Sequence, residues 1–232
     1  MSRQERAAWD ERFRGGDHAS EDHDPFLAQL DEYLAALPPD RHIQSKGSKA
    51  STGAAEASSP KVPEATTPKT LRAIAPKALR APTAIDLACG AGRNAVYLAE
   101  KGWDVTACDV SLEGLRTAQA LARKRGVSLR LFCQDLETAQ LPVEHFDLVV
   151  CFFYLQRELF PQIKAAIRPG GFVVYKTYTT DQLRFPGRPR HPLHMLRPQE
   201  LLAAFQDFRV LVYQETLEDR GVAQLIAQKP SG

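Results

Sequence analysis

Apolar positions along this chain keep two different periods, and the change of period divides it. In residues 1–40 the spacing is helical. Phe26, Leu27, Leu30, Tyr33, Leu34 and Leu37 recur on one face, behind Asp24 and Pro25 as N-cap and first-turn proline, and Pro38-Pro39 ends the run. Upstream, Trp9 and Phe13 lie four apart on one face of a shorter helix. From Thr83 onward, apolar runs of strand length alternate with helical segments. Ala84 to Cys89 reads as a buried strand, and Gly90-Ala91-Gly92 turns it into a helix carrying Ala95, Val96, Leu98 and Ala99. Val105 to Cys108 is a second strand, ending at Asp109. Ser111 caps the next helix, with Glu113 in its first turn, Arg123-Lys124-Arg125 in its last and Gly126 as terminator.

Strands three and four are expected at Ser128 to Cys133 and Phe146 to Phe153, a helix at about Pro161 to Arg168, and strand five at Phe172 to Tyr178. A basic, proline-rich loop (Arg184 to Pro198) and a short helix (Gln199 to Phe205) follow. The runs Phe208 to Thr216 and Val222 to Gln228 are separated only by Leu217 and Glu218-Asp219-Arg220-Gly221, so they form a hairpin. The expected fold is α/β: a doubly wound, seven-stranded, mostly parallel sheet closing with an antiparallel hairpin.

Between the two patterns lies a segment with neither. From Gln44 to Pro82 the chain is built of Ala, Ser, Thr, Pro and Lys, with seven basic residues (Lys46, Lys49, Lys61, Lys69, Arg72, Lys77, Arg80) against Glu56 and Glu64. Such a stretch buries too little surface to offset the entropy of ordering. The expected division is a helical arm (1–40), a disordered basic linker (41–82) and a domain (83–232). An exposed apolar stripe on the arm calls for a cover, so the arm is expected to fold back on the domain.

Composition narrows the class. The chain has 232 residues, 44% hydrophobic and 25% charged, ordinary values for a globular protein. No apolar run approaches the roughly 20 residues that span a bilayer, so no membrane partner is expected. Met1 to Arg6 lacks the apolar core of a secretory signal, and the four cysteines form no C-x-x-C pair; a reduced, cytoplasmic setting is expected. Net charge is +2, and since the linker is strongly positive the remainder is net acidic, which argues against nucleic acid as partner. Oligomeric state is left open.

A doubly wound sheet binds its ligand beyond the carboxyl ends of the strands, beside the first one. Gly90-Ala91-Gly92-Arg93-Asn94-Ala95 fits G-x-G-x-x-A, which also suits a dinucleotide and leaves an NAD-dependent oxidoreductase as an alternative. Asp86, four residues before Gly90, opposes a pyrophosphate and suits a ligand bearing positive charge. Asp109 can accept from ribose hydroxyls, and Asp135 from an exocyclic amine. Each has a plainer alternative: Asp86 as a backbone cap, Asp109 as a helix cap, Asp135 as a turn residue. The cysteines, all near strand ends, read as small buried hydrophobes rather than metal ligands.

Ile85-Asp86-Leu87-Ala88-Cys89-Gly90-Ala91-Gly92-Arg93-Asn94 resembles the first motif of class I S-adenosylmethionine-dependent methyltransferases. The Gly-Arg-Asn ending is similar to the branch that includes tellurite-resistance and thiol methyltransferases. Trp9-Asp10-Glu11-Arg12-Phe13 resembles that branch's arm segment, which caps the cofactor pocket. Two features depart from the pattern: Ala88 replaces the first glycine, and the basic linker is additional. The resemblance implies a Rossmann-like methyltransferase fold and S-adenosylmethionine as cofactor, with S-adenosylhomocysteine as product. It puts Trp9 and Arg12 over the pocket and Asp86, Ala88, Gly90, Gly92, Arg93 and Asn94 around the methionine end. Asp109 with Val110 would lie at the ribose, Asp135 with Leu136 at the adenine, and Cys151 with Phe152 beneath the reactive methyl.

The acceptor is expected to be a small molecule and, from the cation density of the loop (Arg184, Arg188, Arg190, His191, His194, Arg197), an anionic one. A thiol, a chalcogen oxyanion or a carboxylate-bearing metabolite would serve. Tyr154, Arg157, His191 and His194 are the candidates for acceptor-side catalysis, and His191-x-x-His194 lacks partner ligands for a metal. A nucleic-acid-directed enzyme or a non-catalytic polyanion binder is the other alternative, and strand four carries no base-methylation motif.

Overall fold

In the computed structural model, residues 3–16, 20–35, 81–187, 189 and 191–231 are described. The predicted linker through residue 80, the Pro38-Pro39 stop, Arg188 and Arg190 lie outside them. The domain is one seven-stranded sheet in the order β3-β2-β1-β4-β5-β7-β6. Its strands are β1 (Thr83–Leu87), β2 (Asp104–Asp109), β3 (Arg130–Cys133), β4 (Phe146–Phe152), β5 (Ile167–Tyr178), β6 (Arg209–Thr216) and β7 (Val222–Gln228). The first five run parallel, and β7 is antiparallel to both β5 and β6. The fold class expected from periodicity is the one observed. Strand order reverses between β1 and β4, the place where a doubly wound sheet offers a ligand crevice.

Helices cover both faces. On one face, α4 (Arg93–Glu100) and α5 (Leu112–Lys124) pack beside the arm. The arm supplies α1 (Arg3–Arg14), α2 (Pro25–Ala28) and α3 (Leu30–Ala35). Phe26, Leu27, Leu30 and Leu34 are buried in a cluster with Leu98, Trp103, Phe172, Val174 and Ile226, so the apolar stripe of the arm is covered by the domain. On the other face, α6 (Leu159–Ala166) and α7 (Glu200–Ala204) close a core containing Leu159, Phe160, Ile163, Tyr175 and Phe205.

Several boundaries differ from expectation, β1 ending at Leu87 rather than Cys89 and β3 starting at Arg130 rather than Ser128 among them; three others have a visible cause. The arm's second helix is split at Gln29, whose N–H turns to the Phe26 carbonyl at 3.2 Å, a tighter i→i−3 closure. Helix α6 begins two residues early, because Pro161 sits in its first turn, where a missing N–H costs nothing. The chain then enters β5 directly, at Ile167 rather than Phe172. Pro169-Gly170-Gly171 is held inside the strand as an irregularity opposite Phe146/Leu148, with Gly170 N–H and Gly171 C=O bonded to Lys229 at 3.0 and 2.8 Å.

Candidate active site at the glycine turn

The turn after β1 is tight. Ala88, Gly90 and Gly92 all have positive φ (55°, 54° and 77°), so left-handed residues alternate through it. Gly90 N–H donates to Asp109 Oδ2 at 2.8 Å and Ser111 N–H to Asp109 Oδ1 at 2.8 Å. The Asp109 carboxylate thus ties the glycine turn to the start of α5. Burial raises its pKa, against those backbone donors. Gly92 is required for packing: a Cβ there would stand 2.5 Å from Ala118 Cβ on α5.

Asp86 is 2% exposed, and among the described residues its Oδ2 has no hydrogen-bond partner. Burial and the neighbouring Asp109 push its pKa up to about 8, partly opposed by the Ala95 amide and Arg93. A buried carboxylate oxygen without a donor costs free energy until a ligand or a proton satisfies it.

The arm crosses this turn. Asp10 Oδ1 accepts from Ser111 Oγ at 2.5 Å and from Glu113 N–H at 3.3 Å, while Ser111 Oγ accepts from Gly114 N–H at 3.1 Å. A residue from α1 therefore completes the N-cap of α5, where negative charge meets the positive end of the helix. The Phe13 ring lies against both Gly90 and Gly114, 3.1–3.4 Å from where their Cβ atoms would be. Trp9 is partly buried, with its ring 6.3 Å from Phe13 and the Arg12 guanidinium 4.7 Å over it. Trp9 and Arg12 thus meet beside the glycine turn, through Phe13.

The remaining predicted residues are placed as follows. Val110 and Leu136 are buried at the strand tips, and Cys151 and Phe152 are buried at the end of β4. Asp135 Oδ1 accepts from Glu137 N–H at 3.0 Å, an Asx-turn. Asn94 is buried with its Oδ1 accepting from Asp24 N–H at 2.9 Å, so it anchors the arm. Burial pushes the Cys108 thiol up to about 12, which keeps it neutral.

The acceptor-side candidates divide. Tyr154 donates to Gln156 Oε1 at 2.9 Å, and burial raises its pKa above the usual phenol range. Arg157 is consumed structurally: it pairs with Glu200 (2.5 and 3.0 Å) and donates to the carbonyls of Leu193 and Met195 at 3.2 and 3.0 Å. It fastens the loop carrying His191 and His194, which are exposed with ring centroids 5.8 Å apart.

Three residues that the sequence did not single out as site residues matter: Asp10, Asp24 and Lys176. Lys176 Nζ lies 2.9 and 3.0 Å from the two Asp24 oxygens. Its signal was a lone charge in an apolar strand, Phe172-Val173-Val174-Tyr175-Lys176.

Comparison with known proteins follows this geometry. Residues 84–171 match the methyltransferase domain family. Hemagglutinin 1 of Eikenella corrodens is 31% identical over 147 residues, covering 57% of this chain and 46% of that protein. The probable S-adenosyl-L-methionine-dependent methyltransferase TehB of Haemophilus influenzae is 28% identical over 142 residues, covering 57% of this chain and 48% of that protein. The crystal structure of TehB from Haemophilus influenzae matches at a TM-score of 0.54 and 22% identity, over 64% of this chain and 57% of that one. The chain spans about half the length of these curated relatives. The glycine turn lies inside the segment that is similar to methyltransferase domains, and the fold around it is similar to that of TehB. Among the described residues no helix is long and apolar enough to cross a membrane.

Proposed function

We propose that the chain binds S-adenosylmethionine at the glycine turn and transfers its methyl group to a small-molecule acceptor. The observation that carries this reading is the unpartnered buried oxygen of Asp86 beside the turn, a site that favours a positively charged ligand. Asp109 keeps spare lone pairs beyond the two amides it accepts from, enough for ribose hydroxyls. Asp135 and Leu136 stand at the next strand tip for the adenine, and Trp9, Arg12 and Phe13 cover the turn from the arm.

Bound there, the cofactor would supply a methyl already activated on a sulfonium, for displacement onto an acceptor lone pair with the carbon–sulfur electron pair returning to sulfur. The protein's part is alignment and exclusion of water, and positioning of this kind is worth roughly 7–11 kcal/mol. With the Tyr154 phenol held neutral and Arg157 engaged in pairing, an acceptor that needs no strong base fits best: a thiol, a chalcogen oxyanion or a carboxylate-bearing metabolite. Calorimetry with S-adenosylhomocysteine tests the cofactor, and a homocysteine-release screen of thiols, selenite, tellurite and small carboxylates tests the acceptor. Tight NADH binding without any response to S-adenosylhomocysteine would overturn the reading.

A further inference from the structure

A cavity of about 360 Å³ opens between the starts of α2 and α4, the carboxyl end of β5 and the start of β7. That is the small end of the range for ligand pockets. Pro25 and Phe153 give it apolar wall, Lys176 and Arg93 reach it from β5 and α4, and Arg220 stands at the hairpin side. The basic loop that suggested an anionic acceptor contributes none of its described residues to this cavity. Its Arg184 and Arg197 face Asp181 and Glu200 instead.

The charges in the cavity differ in depth. The Lys176 side chain is 17% exposed, and its partner Asp24 is 6% exposed. Asp24 already accepts from Phe26 N–H at 3.0 Å as well as from Lys176, so its oxygens are well supplied. An ammonium has three N–H donors, and Asp24 takes at most two of them. Arg93 makes no hydrogen bond or ion pair among the described residues. The acids Glu218 and Asp219 are exposed, where water and salt screen them. The deep part of the cavity therefore offers unused donors from two cations, and its carboxylate is already satisfied.

We propose that this cavity seats the methyl acceptor, and that the acceptor carries a carboxylate, or an oxyanion of similar size, held between Lys176 and Arg93 with its apolar part against Phe153. The inference rests on the methyltransferase reading above. The anionic group is a handle and is unchanged by the reaction; the methyl goes to a nucleophilic atom at the other end, which faces the glycine turn.

The test uses the full chain saturated with S-adenosylhomocysteine, so that binding is read without turnover. Ligand-observed NMR compares 3-mercaptopropionate with its neutral amide, 3-mercaptopropionamide. The acid binds on the order of tenfold more tightly, as expected for a charge-assisted contact. Lys176→Met removes that preference and leaves S-adenosylhomocysteine affinity at the wild-type value. Asp24→Asn frees Lys176 and retains or strengthens acid binding; a lysine that merely braced the arm would make both variants lose acid and nucleoside binding alike. Equal affinity for acid and amide, or binding of neither, in a protein that binds S-adenosylhomocysteine overturns the proposal and leaves the cofactor reading standing. Failure to bind S-adenosylhomocysteine overturns both.

Discussion

Asp10 accepts the Ser111 hydroxyl at 2.5 Å, across 101 positions of sequence, and so finishes the cap of a helix to which it does not belong. Arm and domain meet through an interaction that is half cap and half lid latch, directly beside the glycine turn.

Asp10→Asn keeps a weaker acceptor at this point, and Asp10→Ala removes it. The alanine variant is expected to lose about 1 kcal/mol of stability, typical of an N-cap acceptor, and to weaken S-adenosylhomocysteine binding by loosening the arm. The latch is also acid-sensitive. Burial raises the Asp10 pKa, but the Ser111 hydroxyl, the Glu113 amide and the nearby Arg14 and Arg6 together lower it below its ordinary 3.8. A depressed folded-state pKa means the contribution is complete above 3.8 and is lost as pH falls through the lower folded value. Protection of the amides of residues 3–14, taken relative to their intrinsic exchange rate at each pH, should therefore be unchanged from pH 7 to 5 and fall below pH 3.8. Protection already lost at pH 6 would show that another group holds the arm.

Ala88 stands in the left-handed region with φ 55°, where an L-residue costs roughly 1–2 kcal/mol. Ala88→Gly relieves that strain but adds freedom to the unfolded chain, so the expected net gain is about 0.5–1 kcal/mol. A higher denaturation midpoint with an unchanged slope checks it. No gain would mean that the alanine methyl packs well enough to offset its own backbone.

Much of this architecture was legible from periodicity, and the reason lies in particular elements. Every residue of β1 is buried, and β4 is buried except at Asp147, so both leave apolar runs that no amphipathic helix would. The hairpin followed from the few turn-forming residues between β6 and β7. Two boundaries failed where a proline or glycine has two uses: Pro161 inside a first turn, Pro169-Gly170-Gly171 inside a strand. The site was half legible. Asp86 and Asp109 sit where the turn places them, and local sequence specifies that turn. Asp10 with Ser111, and Asp24 with Lys176, depend on how the arm docks, which no local period encodes.

Gly92→Ala should be the most damaging change in the turn. Its methyl would meet Ala118 Cβ at 2.5 Å on a backbone with φ 77°, so strain and overpacking combine to about 2–4 kcal/mol. Adding Ala118→Gly removes the clash and leaves the dihedral strain, so the double variant should recover part of the loss. A double variant no better than the single one would show that the clash is relieved by movement of α5 instead.

Asp86 gives the sharpest consequence of the proposed function. Burial, reinforced by Asp109, raises its pKa to about 8, so the ligand-free protein carries a proton there at neutral pH that the unfolded chain does not. The folded state binds more protons between pH 3.8 and 8, and its stability falls as pH rises through that interval. A cationic ligand favours the ionised carboxylate, so binding S-adenosylmethionine below pH 8 should release a proton. Affinity should accordingly climb with pH and level off above about 8. Calorimetry at pH 7 in buffers of different ionisation enthalpy measures that proton directly, and Asp86→Asn should abolish the buffer dependence. S-adenosylhomocysteine, with a neutral sulfur, should release less than its parent. Equal proton release by the two nucleosides would mean that Asp86 answers to the amino group rather than to the sulfonium.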